Sequence, residues 1–201
     1  LLSRRQRQMC IRDRLKHVDV IRSELESAPR HIKMTKDGKF VYIVHELKNY
    51  IDVYSYVEED GNPFFTKIQN IPTLNDYHAG GSAASALNFS ADEKYLVSSN
   101  AGDNSVIIYR IDHKTGFLEK ILCLPISGDY PKDLVIFPDN KHIAVANHAS
   151  NTVTTFTVDY DKNIIVMNDK PHHIETPNSI HIWPVPDTWE PVSYTHLTLP
   201  T

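Results

Sequence analysis

Hydrophobic and polar positions alternate along the middle of this chain in a pattern that occurs three times. The repeated units read IKMTKDGKFVYIVHELKNYIDVYSY, LNFSADEKYLVSSNAGDNSVIIYRI and LVIFPDNKHIAVANHASNTVTTFTV. Each unit has a short apolar segment, a turn that contains an aspartate, a β-rich run, a polar corner and a further alternating run. Alternation with a period of two residues, between turn residues at fixed offsets, predicts β-strands joined by hairpins.

The spacing of the units predicts the fold class. They start at Ile32, Leu87 and Leu134, and a fourth starts at Ile180, so the intervals are 55, 47 and 46 residues. A less regular segment completes four short strands per unit, which is typical of propeller blades. We therefore expect an all-β chain, a partial β-propeller of about three and a half four-stranded blades. A β-helix solenoid is the structural alternative, but its repeats are usually shorter.

Three segments lie outside the repeat. The longer first interval places a surface loop in NIPTLNDYHAGGSAAS, at residues 70–85. Residues 1–14 are rich in arginine, and residues 192–201 share no pattern with the rest. Both ends resemble translated sequencing-adapter sequence, with a disordered basic arm and a loose tail as the alternative, so we expect the propeller to occupy residues 15–191.

The number of blades indicates an incomplete ring. A propeller closes with about four to eight blades, and closure removes the exposed sheet edges. We interpret the chain as the C-terminal half of a longer protein. We expect this piece alone to be marginally stable or to aggregate, and to be inactive.

Composition excludes several classes of protein. Hydrophobic residues make up 41% and charged residues 23%, which is ordinary for a globular domain. The net charge of -4 gives no general attraction to nucleic acid or anionic lipid. No apolar run is long enough to span a bilayer, and two cysteines are too few for a disulfide scaffold. We expect a cytoplasmic protein with no nucleic-acid, membrane or obligate protein partner.

The sequence gives no sign of a metal site or a cofactor. There are eleven histidines, but the adjacent pair His172 and His173 would point to opposite faces of a strand. Neither a zinc-binding helix motif nor a phosphate-binding glycine loop is present, and no Gly-x-Ser-x-Gly motif indicates a serine nucleophile. We expect neither a metal nor a cofactor.

Two positions of the repeat carry polar side chains that could form a site. Equivalent positions in successive blades face the same end of the central channel, so we expect these side chains to converge at one rim from different blades. One position lies two residues before each first strand, and the other lies in the corner after each second strand. They hold Arg30, Ser85, Lys132 and Asn178, and Glu46, Ala101 and His148, respectively.

The sequence around Arg30 and Glu46 resembles that of a known family. APRH at residues 28–31, the strand DGKFVYIV and HEL at residues 45–47 are similar to the pattern G-P-R-H … N-E-L of the lactonase family of seven-bladed propellers. The resemblance covers about Ser27 to Trp183. It implies metal-free hydrolysis of a sugar lactone ester in the whole protein, with 6-phospho-D-glucono-1,5-lactone of the pentose phosphate pathway as the implied substrate. The fungal carboxymuconate cycloisomerases share the fold and offer a different reaction.

The resemblance also implies roles for individual residues. It places Arg30, His31 and Glu46 in the central cleft, where lactone hydrolysis needs a base for water and donors for the carbonyl oxygen. We expect Glu46 or His31 to be the base and Arg30 to contact the substrate or its oxyanion. Lys132 and His148 are the expected substrate-binding residues, with Lys132 at the phosphate.

Each assignment has a structural alternative. Arg30 and Glu46 would serve equally as a structural ion pair, His31 as a buried histidine, and Lys132 and His148 as a solvated lysine and a turn residue. The chain also departs from the family pattern, since Ala101 and Lys132 stand where many members have arginine. The lost arginine favours a non-catalytic propeller that binds a protein partner as a further alternative.

Overall fold

The computed structural model describes residues 19–75 and 80–183, and within these ranges it contains β-strands and no helix. No segment in these ranges is therefore a helix long and apolar enough to cross a membrane. The strands, in chain order, are β1 (Pro29–Met34), β2 (Phe40–His45), β3 (Tyr50–Glu59), β4 (Asn62–Pro72), β5 (Ala83–Phe89), β6 (Tyr95–Ala101), β7 (Ser105–Ile111), β8 (Leu118–Pro125), β9 (Pro131–Ile136), β10 (His142–Asn147), β11 (Thr152–Asp159), β12 (Ile164–Met167) and β13 (His172–His173).

These strands form three antiparallel sheets, each with its strands in sequence order. The sheets are β1–β4, β5–β8 and β9–β12, and we call them blades 1, 2 and 3. In blade 3 the outer strand is interrupted, because β12 pairs with one end of β11 and β13 pairs with the other. The prediction of an all-β partial propeller with four-stranded blades is confirmed.

The aspartate in each unit forms the first hairpin of its blade. Asp37, Asp92 and Asp139 each accept a hydrogen bond from the backbone N–H two residues later, at 3.1, 3.2 and 2.8 Å. The residue after each aspartate adopts a positive φ, at Gly38, Glu93 and Asn140. Aspartate stabilises such turns through its own side chain, which is why the sequence showed their positions clearly.

Successive blades pack face to face through apolar side chains. Alternate residues of β2 point toward blade 2, because residues i and i+2 of a strand share a face. Tyr42 and Val44 are among them, and they pack with Leu87, Leu96 and Ile107 in the core between blades 1 and 2. A second core lies between blades 2 and 3 and includes Val97, Leu134, Ile143 and Phe156.

The first strands lie innermost and are joined by hydrogen bonds between blades. Contacts between successive blades are made by β1 with β5 and by β5 with β9. Ser85 Oγ donates to the carbonyl oxygen of Lys132 at 2.8 Å, and Asn88 Nδ2 donates to that of Leu134 at 2.6 Å. The start of each first strand is therefore held at a fixed distance from the next, which defines the channel wall.

The outward face of blade 1 is partly uncovered, as the incomplete ring predicts. Ile32 occupies the repeat position of Leu87, but its side chain is 62% exposed whereas Leu87 is 1% exposed. In the part of the chain that the structure describes, a short segment containing Ile21 packs on this face, against Val41, Ile43 and Tyr54.

Two predicted boundaries change in the structure. The loop expected at residues 70–85 is shorter, since β4 continues to Pro72 and β5 begins at Ala83. Pairing of Pro72 with Tyr50 extends β4, and local sequence does not reveal such pairing. From Ile180 to Trp183 the fourth unit forms no strand, because a first strand needs the second strand of its own blade. Residues 1–14 and 192–201 lie outside the described residues.

The packing predicts unequal effects for two equivalent residues. Leu87→Ala should lower the free energy of unfolding of the 201-residue chain by about 2–5 kcal/mol, because it leaves a cavity between two blades. Ile32→Ala, at the same repeat position on the uncovered face, should change it by less than about 0.5 kcal/mol. Urea denaturation measures both, and equal losses would contradict the blade packing described above.

Candidate active site

An ion pair between Arg30 and Glu46 lies at one end of the innermost strand. Arg30 Nη1 donates to Glu46 Oε2 at 2.9 Å, and the side chains are 27% and 29% exposed. The register of β1 against β2 shifts between Pro29 and His31, so Arg30 lies in an irregular part of the strand. Glu46 N–H donates to Ala28 O at 2.8 Å, which fixes the corner. Both residues belong to blade 1, so the expectation that they come from different blades is wrong.

His31 lies beside this pair and is half-buried. Its imidazole has a pKa lowered by burial and, to a smaller extent, by the guanidinium of Arg30. The carboxylate of Asp133, in blade 3, acts on the same pKa in the opposite direction. Charged groups of blades 1 and 3 therefore both act on the pKa of this imidazole. A histidine with a lowered pKa is neutral near pH 7 and is able to accept a proton.

The two predicted substrate-binding residues lie in blade 3. Lys132 Nζ donates to Asn178 Oδ1 at 2.7 Å. His148 N–H donates to Tyr130 O at 2.9 Å, and the two rings lie 6.2 Å apart. Nδ1 of His148 is buried and has no hydrogen-bond partner among the described residues. The structure thus joins Arg30 directly to Glu46, whereas Lys132 and His148 each contact neighbours within blade 3 or the segment that follows it.

The corner at Ala101 is covered by the loop between β4 and β5. Ser82 Oγ donates to Ala101 O at 2.9 Å, and Asn49 Nδ2 donates to Ser82 O at 2.9 Å. Gly102 has a φ of +92°, and a Cβ there would lie 2.7 Å from the carbonyl oxygen of Gly81. Ala101 is 2% exposed. An arginine at position 101 would have to displace the loop. This loop conformation therefore requires a small residue at position 101.

Asp133 is a residue that sequence reasoning missed. Its Oδ2 accepts hydrogen bonds from Ser179 Oγ and Ile180 N–H, both at 3.0 Å. It also acts on the pKa of His31. The repeat register contained the signal, since Asp133 and His31 each lie one residue before the start of their repeat units.

A second polar cluster lies on the outward face of blade 1. Nδ1 of His45 lies 3.0 Å from Ser27 Oγ, and its Nε2 lies 3.4 Å from Asp52 Oδ2. Asp52 Oδ1 also accepts from Lys67 Nζ at 2.6 Å and from Asn70 Nδ2 at 2.7 Å.

This cluster has the residue types of a serine-hydrolase triad but not its accessibility. Ser27 and His45 are 0% exposed, and Ser27 Oγ donates to Glu24 O at 2.7 Å. A nucleophile must reach its substrate, so we assign this cluster to packing. At the repeat position of His45, blades 2 and 3 have Asn100 and Asn147, which are also buried.

Within residues 19–75 and 80–183, no group of three or more His, Cys, Asp or Glu side chains is arranged to hold a metal ion. The groups described at the channel end are the Arg30–Glu46 ion pair, the imidazole of His31, and Lys132 and Asp133 of blade 3.

Comparison with protein families identifies the chain. The family described as "Lactonase, 7-bladed beta-propeller" matches residues 10–182. The chain belongs to this family. The match begins within the N-terminal segment that we set apart, and it includes Arg30 in β1 and Glu46 in the corner after β2.

Individual relatives agree with this assignment. An uncharacterized protein of Lactococcus lactis subsp. cremoris is 34% identical over 158 residues, which cover 78% of this chain and 46% of the relative. A 6-phosphogluconolactonase of Formosa agariphila is 29% identical over 154 residues, covering 73% of this chain and 41% of the relative. The chain thus spans less than half the length of these relatives.

The solved structures support the fold. The periplasmic gluconolactonase of Pseudomonas aeruginosa superposes with a TM-score of 0.76 at 24% identity, covering 83% of this chain and 45% of that one.

The charges around His31 predict opposite shifts in two variants. Replacing a cation raises the pKa of a histidine and replacing a carboxylate lowers it, since the imidazolium is positive. Arg30→Gln should therefore raise the pKa of His31, and Asp133→Asn should lower it. Titration of the histidine resonances by NMR measures both, and an unchanged pKa in Asp133→Asn would remove Asp133 from the site.

The buried His45 predicts loss of stability in acid. Burial lowers the pKa of its imidazole, so the unfolded chain takes up a proton at higher pH than the folded chain does. The free energy of unfolding should be highest above about pH 6.5 and should fall as the pH decreases below this value. His45→Asn, which copies the residue of blades 2 and 3, should reduce this fall by on the order of 1 kcal/mol.

Urea denaturation at several pH values between 7.5 and 5 measures this difference. His113→Asn is the matched control, since His113 is exposed in the β7–β8 turn. If His45→Asn and the wild type lose stability in parallel, burial of His45 is not the cause.

Proposed function

We propose that the protein containing this chain hydrolyses a sugar lactone at the end of its propeller channel, with 6-phospho-D-glucono-1,5-lactone as the substrate. The observation that carries this proposal is the Arg30–Glu46 ion pair beside a half-buried imidazole of lowered pKa. These are a cation for a developing oxyanion and a base for water, side by side. Membership of the lactonase family supports the same reaction class.

In this reaction a water molecule attacks the lactone carbonyl carbon. His31 accepts the proton of the water as the new C–O bond forms, and the carbonyl oxygen becomes negative. Arg30 donates hydrogen bonds to that oxygen. The ring C–O bond then breaks, and the imidazolium returns the proton to the leaving ring oxygen. The reaction consumes one water molecule, forms the open-chain hydroxy acid and needs no cofactor.

Glu46 has a supporting role in this arrangement. Its carboxylate holds the guanidinium of Arg30 at 2.9 Å and so fixes the direction of the remaining N–H groups. The carboxylates of Glu46 and Asp133 also favour the imidazolium that forms when His31 takes up a proton. Of the two bases suggested by the sequence, His31 is thus the one that we propose, with Glu46 as the positioning residue.

Blade 3 supplies the further substrate contacts in this proposal. Lys132 and His148 bind hydroxyl or phosphate oxygens of the substrate. The remaining blades of the whole protein complete the cleft. We therefore expect the 201-residue chain alone to be inactive, and we propose a cytoplasmic location, in keeping with its two cysteines.

Substitution of the ion pair tests the function. In the whole protein that contains this chain, Arg30→Ala should lower kcat/KM for the phosphorylated lactone by about 10²–10³-fold, since it removes an oxyanion donor. Glu46→Ala should lower it by about tenfold or more, because the guanidinium loses its fixed orientation. Hydrolysis is followed against the spontaneous reaction of freshly generated lactone.

Arg110→Ala is the matched control. Arg110 pairs with Glu119 at 2.8 Å in the same way, but on the outer strands of blade 2. It should retain full activity. If the wild-type protein is no faster than spontaneous hydrolysis, the proposed function fails, and the propeller that binds a protein partner becomes the better interpretation. If Arg30→Ala and Glu46→Ala keep full activity, the site is elsewhere.

A further inference from the structure

A polar cavity lies between blades 2 and 3, far from the candidate active site. It has a volume of about 540 Å³ and is bounded by the first hairpin turn of each blade and by the end of β11. Lys132 lies at the start of β9, whereas the turn that contains Asp139 follows its end. At about 3.3 Å per residue, roughly 20 Å of strand separates the two places, so this cavity is a distinct site.

The lining of this cavity carries more negative than positive charge. Four aspartates and two lysines line it, namely Asp92, Asp139, Asp159, Asp161, Lys94 and Lys141. Three of the aspartates form ion pairs, with Lys94, His142 and Lys162. The carboxylate of Asp161 makes no hydrogen bond or ion pair within the part of the chain that the structure describes. A lining of this sign favours a cation.

Tyr160 supplies a buried hydroxyl group in the same lining. The residue is 8% exposed, and its hydroxyl oxygen has no hydrogen-bond partner among the described residues. Burial raises the pKa of this hydroxyl, and Tyr95 and the carboxylates of Asp92 and Asp139 raise it further. Because both carboxylates belong to the cavity lining, the hydroxyl points toward the cavity. A polar group that is withdrawn from water is costly unless a partner meets it.

At the equivalent interface between blades 1 and 2, the protein backbone supplies such a partner. There the buried Tyr42 donates its hydroxyl to Gly116 O at 2.9 Å, and Gly116 packs so closely on the ring of Phe40 that no Cβ would fit. Tyr95 occupies the repeat position of Phe40, and the ring of Tyr160 stacks on it with the centroids 3.9 Å apart. The β7–β8 turn thus packs into the first interface, whereas the second keeps a cavity beside a tyrosine hydroxyl.

We propose that this cavity binds a small organic cation that carries a primary ammonium group. The ammonium donates hydrogen bonds to the hydroxyl oxygen of Tyr160 and to the carboxylate of Asp161, and the other aspartates add to the negative potential. The hydroxyl of Tyr160 then has the partner that the described residues do not supply. This site is separate from the proposed hydrolysis and does not depend on it.

Calorimetry with three probes of similar size tests the cavity in the whole protein that contains this chain. The n-butylammonium ion, n-butanol and butyrate carry a positive charge, no charge and a negative charge. The ammonium ion should bind at least about tenfold more tightly than n-butanol, and butyrate should not bind, since the lining is negative. Tyr160→Phe should weaken binding of the ammonium ion about tenfold, and Asp161→Asn about threefold or more.

Two variants outside the cavity are matched controls. Tyr56→Phe removes a hydroxyl that lies 3.3 Å from the carboxylate of Glu58, and Asp169→Asn removes an exposed charge. Both should keep the wild-type affinity for the ammonium ion. Without a ligand, Tyr160→Phe should unfold at the same temperature as the wild type or a higher one, because its hydroxyl has no hydrogen bond to lose. Weaker binding by this variant is then not a result of misfolding.

Four results would overturn the proposal. They are equal or tighter binding of n-butanol or butyrate, binding of none of the three probes, wild-type affinity in Tyr160→Phe, and a lower unfolding temperature of Tyr160→Phe in the absence of ligand. The last result would show that the hydroxyl of Tyr160 is already bonded within the protein.

Discussion

Burial of one sheet face against the next is the constraint on which this structure depends. Each four-stranded blade has apolar side chains on both faces, and it removes them from water only by packing between neighbours. Leu87 and Ile107 are buried because blade 1 covers them, and Leu134 and Ile143 because blade 2 does. At about 25 cal/mol for each Å² of apolar surface removed from water, these interfaces supply the main stabilisation.

The same packing positions the candidate site. Blade contacts hold the first strands side by side, and the hydrogen bonds from Ser85 and Asn88 to the next strand fix their spacing. Arg30, His31 and Glu46 consequently lie partly buried at one end of β1. Partial burial there lowers the pKa of His31, and the ion pair of Arg30 with Glu46 keeps a guanidinium beside it. The chemistry proposed for the site thus follows from how the blades pack.

Blade 1 differs from the other two blades in the side chains on both of its faces. Its outward face holds the buried pair of His45 and Asp52 with the exposed Lys67, while at the position of Asp52 blade 2 has the apolar Ile107. Its inner strand carries His31 and Lys33, where blade 2 has Ala86 and Asn88. Blade 2 in turn presents Ala101 beneath the β4–β5 loop. The three units share the same four-stranded backbone arrangement, and they differ in the side chains at equivalent positions.

The sequence by itself determined the strands, the hairpin turns and the fold class. These depend on local features, namely the alternation of apolar residues and the side-chain hydrogen bonds of Asp37, Asp92 and Asp139. It also predicted that Arg30 and Glu46 meet, because the repeat register and the family pattern both locate them. Neither source indicated that Lys132 would bind Asn178 or that Asp133 would act on His31.

Only the tertiary structure decided those contacts, since they join residues from different blades or from the segment beyond the last blade. The end of β4 at Pro72 and the burial of Ala101 were likewise decided by tertiary contacts. In each case the contact joins residues that are far apart in the sequence. The local pattern of hydrophobic and polar residues does not show which distant residues come close in the fold. The sequence determined which side chains were available, and the packing of the blades decided which of them meet.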